Sequence, residues 1–135
     1  MQLIPTVNGD DANVRAAAGF SAATLSKTAS YTVTAANVIA AGGALIVNVT
    51  SAGAAVDITL PSAATVKGGR ITLLKPSGNT NAVSFLATNS QTIEGGTANK
   101  RWQNVTNEQG ASEIWSDGSN WRVIASKGTW VANNT

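Results

Sequence analysis

From residue 25 onward, apolar and polar residues alternate in short runs separated by turn-forming residues, the pattern of half-buried β-strands. Tyr31 and Val33 alternate with Thr32 and Thr34. Residues 44–50 put Leu45, Val47 and Val49 on one face, and residues 55–60 do the same with Val56, Ile58 and Leu60 before Pro61 ends the run. Ser51-Ala52-Gly53 between them reads as a hairpin connection. After Gly68-Gly69, residues 70–75 turn Ile71 and Leu73 one way and Leu74 the other. Pro76-Ser77-Gly78-Asn79 predicts a turn, and Val83 and Phe85 mark the next strand. The pattern at residues 91–94 allows a further short strand. Residues 101–106 alternate Trp102, Asn104 and Thr106 against Arg101, Gln103 and Val105.

The strongest local signal is residues 112–126, SEIWSDGSNWRVIAS, two alternating runs about Asp117-Gly118. A loop of two residues pairs Ile114 with Trp121. A loop of four, residues 117–120, pairs Ile114 with Val123 and Trp115 with Arg122. Both leave the faces unchanged, because they differ by two residues. One face carries Ile114, Ser116, Trp121, Val123 and Ala125; the other carries Glu113, Trp115, Arg122 and Ile124. Both are partly apolar, unlike a sheet wetted on one side.

Eight or nine short strands at roughly ten-residue spacing, with no long amphipathic helix, predict an all-β fold: an antiparallel β-sandwich, jelly roll or barrel. No sequence repeat of 20 to 50 residues stands out. Residues 1–24 read differently, as an N-terminal arm. Leu3, Ile4 and Val7 surround Pro5 in an extended segment, Asn8-Gly9 is a turn, and Asp10 caps a short Ala-rich helix that stops at Gly19. An equal alternative makes these the first strand and helix of the same domain. The β-domain spans residues 25–126, and residues 127–135 are a tail with a short edge strand at 129–131.

Leu, Ile, Val and Phe together number 29 of 135 residues, near the lower edge for a globular chain. Net charge is only +2 with 12% charged residues, so low bulk does not imply disorder. Such a chain gains from sharing its core with copies of itself. Lys100-Arg101 is the only basic pair, too little for a nucleic-acid footprint. The longest apolar run, residues 38–47, is broken by Gly42-Gly43 and is half a membrane span, so no membrane partner is expected. The N-terminus lacks the basic and apolar regions of a secretory signal, and the Asn-X-Thr matches at Asn48, Asn104 and Asn133 are those an Asn- and Thr-rich chain contains by composition.

With no His and no Cys, the chain lacks the commonest metal ligands and general base, and no cofactor or metal is expected. Its acids are Asp10, Asp11, Asp57, Glu94, Glu108, Glu113 and Asp117. Sequence places no two of them across a cleft, and Asp10-Asp11 and Asp117 suit a cap and a turn. The Gly-Gly pairs lack the following helix that a phosphate cradle needs. The chain therefore reads as a non-enzyme, with a glycan hydrolase as the remote rival.

The four tryptophans, Trp102, Trp115, Trp121 and Trp130, all fall in the last third. Trp121 shares a face with Ile114 and Val123 and is assigned to the core. Trp115 and Trp130, if both exposed, would add ~300 to 500 Å² of apolar surface, the limit for a soluble monomer. A subunit interface of Trp102, Trp115, Arg122, Ile124 and Trp130 is the first reading. Ordinary core comes second and a sugar-stacking platform third.

Four segments carry a resemblance: residues 27–34 (KTASYTVT), 57–61 (DITLP), 92–95 (TIEG) and 115–124 (WSDGSNWRVI). Together they resemble β-domains in virion proteins of tailed bacteriophages, found in tail fibres, head fibres and capsid decoration proteins. The resemblance covers about residues 25–126, and the closing SDGSNW is its most specific piece. It implies a homotrimer whose apolar faces meet about a threefold axis. The chain opens on Met and runs 135 residues, which favours a small separate protein over the end of a long fibre. The expectation is a homotrimeric decoration, or cement, protein on the capsid exterior. Its partners would be itself and the major capsid protein, with Leu3, Ile4 and Val7 as the docking arm. The alternative is a fibre or receptor-binding module that grips bacterial surface glycan.

Overall fold

The computed structural model describes residues 24–50, 53–78, 81–104 and 108–133. The expected arm, including Leu3, Ile4 and Val7, lies outside them. In chain order the elements are β1 (Thr24–Lys27), β2 (Tyr31–Thr32), α1 (Ala35–Ala40), β3 (Ala44–Val49), β4 (Val56–Thr59), a 3-10 turn (Ala63–Val66), β5 (Arg70–Lys75) and β6 (Val83–Leu86). There follow β7 (Arg101–Asn104), β8 (Gly110–Ser116), β9 (Trp121–Lys127) and β10 (Trp130–Asn133). They form an all-β sandwich of two open five-stranded sheets, ordered β1-β3-β5-β8-β9 and β10-β7-β6-β4-β2.

The sheets are mixed rather than antiparallel. β1, β3 and β5 run parallel in one sheet, β2, β4 and β6 run parallel in the other, and β7 to β10 add antiparallel strands. The chain therefore crosses between sheets after each of β1 to β5, making three stacked turns of a coil. This corrects the hairpin expected at residues 51–53. β3 already pairs with β1 and β5, and β4 with β2 and β6, so neither has an edge left for the other.

The coil also contains a spatial repeat that the residue identities do not show. Tyr31, Ile58 and Phe85 stack in register, 27 residues apart each time. Leu25, Val47 and Leu73 also stack in register in the opposite sheet, 22 and 26 residues apart. What recurs is an inward apolar position, which bulky residues of different shape fill equally well.

Between β2 and β3 the chain makes one short helix. Thr34 caps it: its Oγ1 accepts from the Asn37 N–H at 3.2 Å, while Asn37 Oδ1 accepts from the Thr34 N–H at 2.9 Å. Gly42 and Gly43, at φ +71° and +90°, end it and return the chain to β3.

The core lies between the sheets. Leu45, Val47, Val49, Ile71, Leu73, Ile114 and Trp121 from one inner face meet Val56, Ile58, Val83 and Phe85 from the other. Trp121 is fully buried, worth ~4 to 6 kcal/mol at ~25 cal/mol/Å². Its indole N–H finds no hydrogen-bond partner among the described residues, which offsets ~1 to 3 kcal/mol of that.

Candidate functional site on the outer face of the Trp115 sheet

The β8–β9 hairpin uses the four-residue loop: Ser116 faces Trp121, Trp115 faces Arg122 and Ile114 faces Val123. Asp117 builds it. Its Oδ1 accepts from the backbone N–H of Ser119 at 2.8 Å and of Asn120 at 2.7 Å, and Gly118 takes φ +95°. These two hydrogen bonds, more than the nearby Arg122 and Lys67, hold the Asp117 carboxyl below its usual range.

The following bulge corrects the expected faces. Glu113 opposes Ala125 while Ile114 opposes Val123, so Ile124 is an extra residue in β9. Alternation resets there, and Ile124 and Ala125 are both exposed. Ala125 thus leaves the core side on which strict alternation puts it. The same shift brings Ser126 opposite Ser112, with their hydroxyls 2.9 Å apart.

Along the outer face of this sheet, one row of cross-strand neighbours runs Ala44, Arg70, Trp115, Arg122. The next runs Thr24, Ile46, Thr72, Glu113, Ala125. Trp115 is 37% exposed, Ile46 39% and Ile124 41%. Two depressions flank the indole. One is lined by Gly68, Arg70 and Ile124, the other by Glu94, Asp117, Arg122 and Val123. Arg70 lies 4.0 Å from Glu113 and Arg122 lies 3.9 Å from Asp117, both long, solvent-screened ion pairs that contribute little to stability.

Trp115, Arg122 and Ile124 therefore share one outward face, as expected. Trp102 and Trp130 do not lie on it and turn toward the space between the sheets instead. Trp102 pairs with inward-facing Phe85 and donates its indole N–H to Ser112 Oγ in the opposite sheet at 2.9 Å. Trp130 is buried, packs 6.5 Å from Phe85 between ring centres, and donates its indole N–H to the Lys127 carbonyl at 2.9 Å. Each aromatic body fills the gap between sheets while its polar handle finds an acceptor. Ile46 and Arg70 were missed because the partner of each strand is not readable from the strand itself.

The expected strand at residues 91–94 is an isolated bridge that lines the start of β9. The Trp121 N–H donates to the Thr92 carbonyl at 3.0 Å, the Glu94 N–H to the Trp121 carbonyl at 2.8 Å, and the Val123 N–H to Glu94 Oε2 at 2.6 Å. The TIEG segment and the SDGSNW hairpin are thus one packed unit.

Every described carboxylate is engaged. Asp57 is held by Arg101, Glu94 by Val123, Glu113 is near Arg70, Asp117 shapes its turn, and Glu108 accepts from the Thr129 N–H. Among the described residues no group of three or more His, Cys, Asp or Glu is placed to hold a metal ion, and no helix is long and apolar enough to cross a membrane. Neither family models, curated proteins nor solved structures give a match to this chain.

Proposed function

We propose that this chain is a structural protein of a bacteriophage virion: a homotrimeric decoration protein on the head exterior that stabilises the shell by bridging subunits of the major capsid protein. The observation that carries the reading is the outer face of the Trp115 sheet. There Trp115, Ile124 and Ile46 stand exposed on regular strands among Ala and Thr, a surface suited to a second copy of the same chain. Support also comes from the virion-like segments, the most specific of which form the hairpin that presents Trp115. A protein that binds only the assembled shell stabilises it by mass action.

Imaging of the parent particle with and without the protein tests the location. Regular density on the head, and shells that withstand heating better when decorated, are expected. Equal shell stability in both preparations overturns the decoration role.

A second reading, a fibre or receptor-binding module for bacterial surface glycan, draws on the depression beside Trp115. An indole face bordered by Glu94, Asp117 and Arg122 suits stacking and hydrogen bonding to a sugar. Label at the tail, with cell binding lost in Trp115→Ala while the oligomer persists, favours this alternative.

A further inference from the structure

Lys75 sits where the core pattern calls for an aliphatic residue. β5 points Ile71, Leu73 and Lys75 inward, and the whole Lys75 side chain is buried, a rare state for lysine. Its Nζ donates to Asn104 Oδ1 at 2.9 Å, and Asn104, also fully buried, belongs to β7 of the opposite sheet. Asn104 lies between Val83 and Trp130 on the neighbouring strands.

The amide is held from its other side as well. Asn104 Nδ2 donates to the Thr129 carbonyl at 3.0 Å. Gly110, the cross-strand neighbour of Lys75, lies against it so closely that a Cβ there would come within 2.7 Å of Nδ2 and 3.3 Å of Cγ. The Thr129 N–H, in turn, donates to Glu108 Oε1. Amine, amide and carboxylate are thus gathered at one end of the sandwich.

We propose that Lys75 and Asn104 are the site of a self-catalysed isopeptide cross-link between the two sheets, with Glu108 as the proton shuttle. The Lys75 Nζ lone pair adds to Asn104 Cγ, forming the C–N bond while the carbonyl electrons move onto Oδ1. Glu108 takes a proton from the attacking nitrogen and delivers it to Nδ2. As the carbonyl re-forms, the Cγ–Nδ2 bond breaks and Nδ2 leaves as ammonia. One amine and one primary amide become one secondary amide plus ammonia, with no change of oxidation state.

The environment suits each step. Burial is the larger influence on the Lys75 amine and pushes its pKa down, favouring the neutral form that can attack. The Glu108 charge acts on the same amine in the opposite sense, and its carboxylate is linked to the amide through Thr129, which donates its N–H to Glu108 and accepts from Asn104 Nδ2 at its carbonyl. The hydrogen bond from Nζ to Oδ1 keeps the amine beside the amide it is to attack, which lowers the entropic cost of the encounter. A surface depression bounded by Pro76, Gln109, Gly110 and Lys127 abuts Lys75 and offers ammonia a way out. In a chain without cysteine the bond would supply the covalent staple that a disulfide supplies elsewhere. The proposal stands independently of any role in a virion.

Mass spectrometry of the full chain tests it. The denatured wild type is expected about 17 Da below its sequence mass, the loss of one ammonia. A tryptic digest should contain residues 71–100 covalently joined to residues 102–122, which separates the cross-link from terminal cyclisation or succinimide formation of equal mass. Glu108→Gln, a change at an exposed side chain, should fold and lose ammonia on the order of a hundredfold more slowly. Wild type that is folded by tryptophan fluorescence, yet keeps its full mass and yields the two peptides separately, overturns the proposal. Glu108→Gln that cross-links at the wild-type rate overturns the role given to Glu108.

Discussion

Arg101 grips Asp57 from two strands away: Nε meets Oδ1 and Nη2 meets Oδ2, both at 2.8 Å, across the intervening β6. The fork ties the coiled part of the sheet, where Asp57 lies on β4, to the antiparallel part that begins at β7. The hydrogen bonds to Asp57, and then its charge, hold the Arg101 guanidinium above its ordinary value. The two side chains are 32% and 28% exposed, so water screens them in part. A double-mutant cycle with Asp57→Ala and Arg101→Ala, followed by urea unfolding, is expected to give a coupling of ~1 kcal/mol. A coupling near zero would mean that the fork forms without stabilising the fold.

Trp115 and Trp121 belong to one hairpin but face opposite ways, and their truncations should separate fold from assembly. Trp121→Ala is expected to cost ~3 to 5 kcal/mol in denaturant unfolding. Trp115→Ala should change the stability of the isolated subunit by only ~0.5 kcal/mol. In the proposed homotrimer its effect should appear in sedimentation, as a shift from oligomer to monomer. A Trp115→Ala protein that sediments like wild type removes this face from the subunit contact.

Removing the bulge offers a finer probe of the same face. Deleting Ile124 leaves Val123 opposite Ile114 and brings Ala125 directly after it, still opposite Glu113. The strand pairing should survive, seen as an unchanged far-ultraviolet circular dichroism spectrum. Oligomer formation should weaken, because the exposed isoleucine beside Trp115 is lost.

Gly110 has no room for a side chain. Gly110→Ala should destabilise the chain by ~1 to 3 kcal/mol in urea, because its methyl group would press on the Asn104 amide. Gly53→Ala, where an added methyl meets open space, is the control and should leave the midpoint almost unchanged.

Asp117 gives the hairpin a pH dependence of known sign. Its folded pKa lies below the ordinary 3.8, so its stabilising contribution is complete above that value and fades as pH falls through the depressed one. Acid unfolding of wild type should therefore carry a component that Asp117→Asn lacks, with the two proteins converging at the lowest pH. Identical acid profiles would show that the turn does not depend on the ionised carboxylate.

Much of the fold is already legible in residue order. Strands such as Leu45-Val47-Val49 and Val56-Ile58-Leu60 declare themselves because side chains alternate across a strand and one face must leave water. The hairpin loop is legible for a similar local reason: Asp117 and Gly118 satisfy a turn by themselves. Even the inward place of Lys75 follows from its alternation with Ile71 and Leu73, although the usual exposure of lysine argues against it.

Which strands pair, where the alternation slips, and which tryptophans reach the surface are set by contacts between distant parts of the chain. β3 and β4 are neighbours in sequence, yet they belong to different sheets because each finds two parallel partners elsewhere. The extra residue at Ile124 changes a hydrogen-bond register without any mark in the hydrophobic pattern. The inward turn of Trp102 and Trp130 depends on the residues beside them across the sheet, Phe85 and Asn104, which are distant in sequence. The meeting of Lys75 with Asn104 is of the same kind. Sequence determines which faces a strand has, because that is set by neighbouring residues, while pairing is settled by competition among all strands for the same edges.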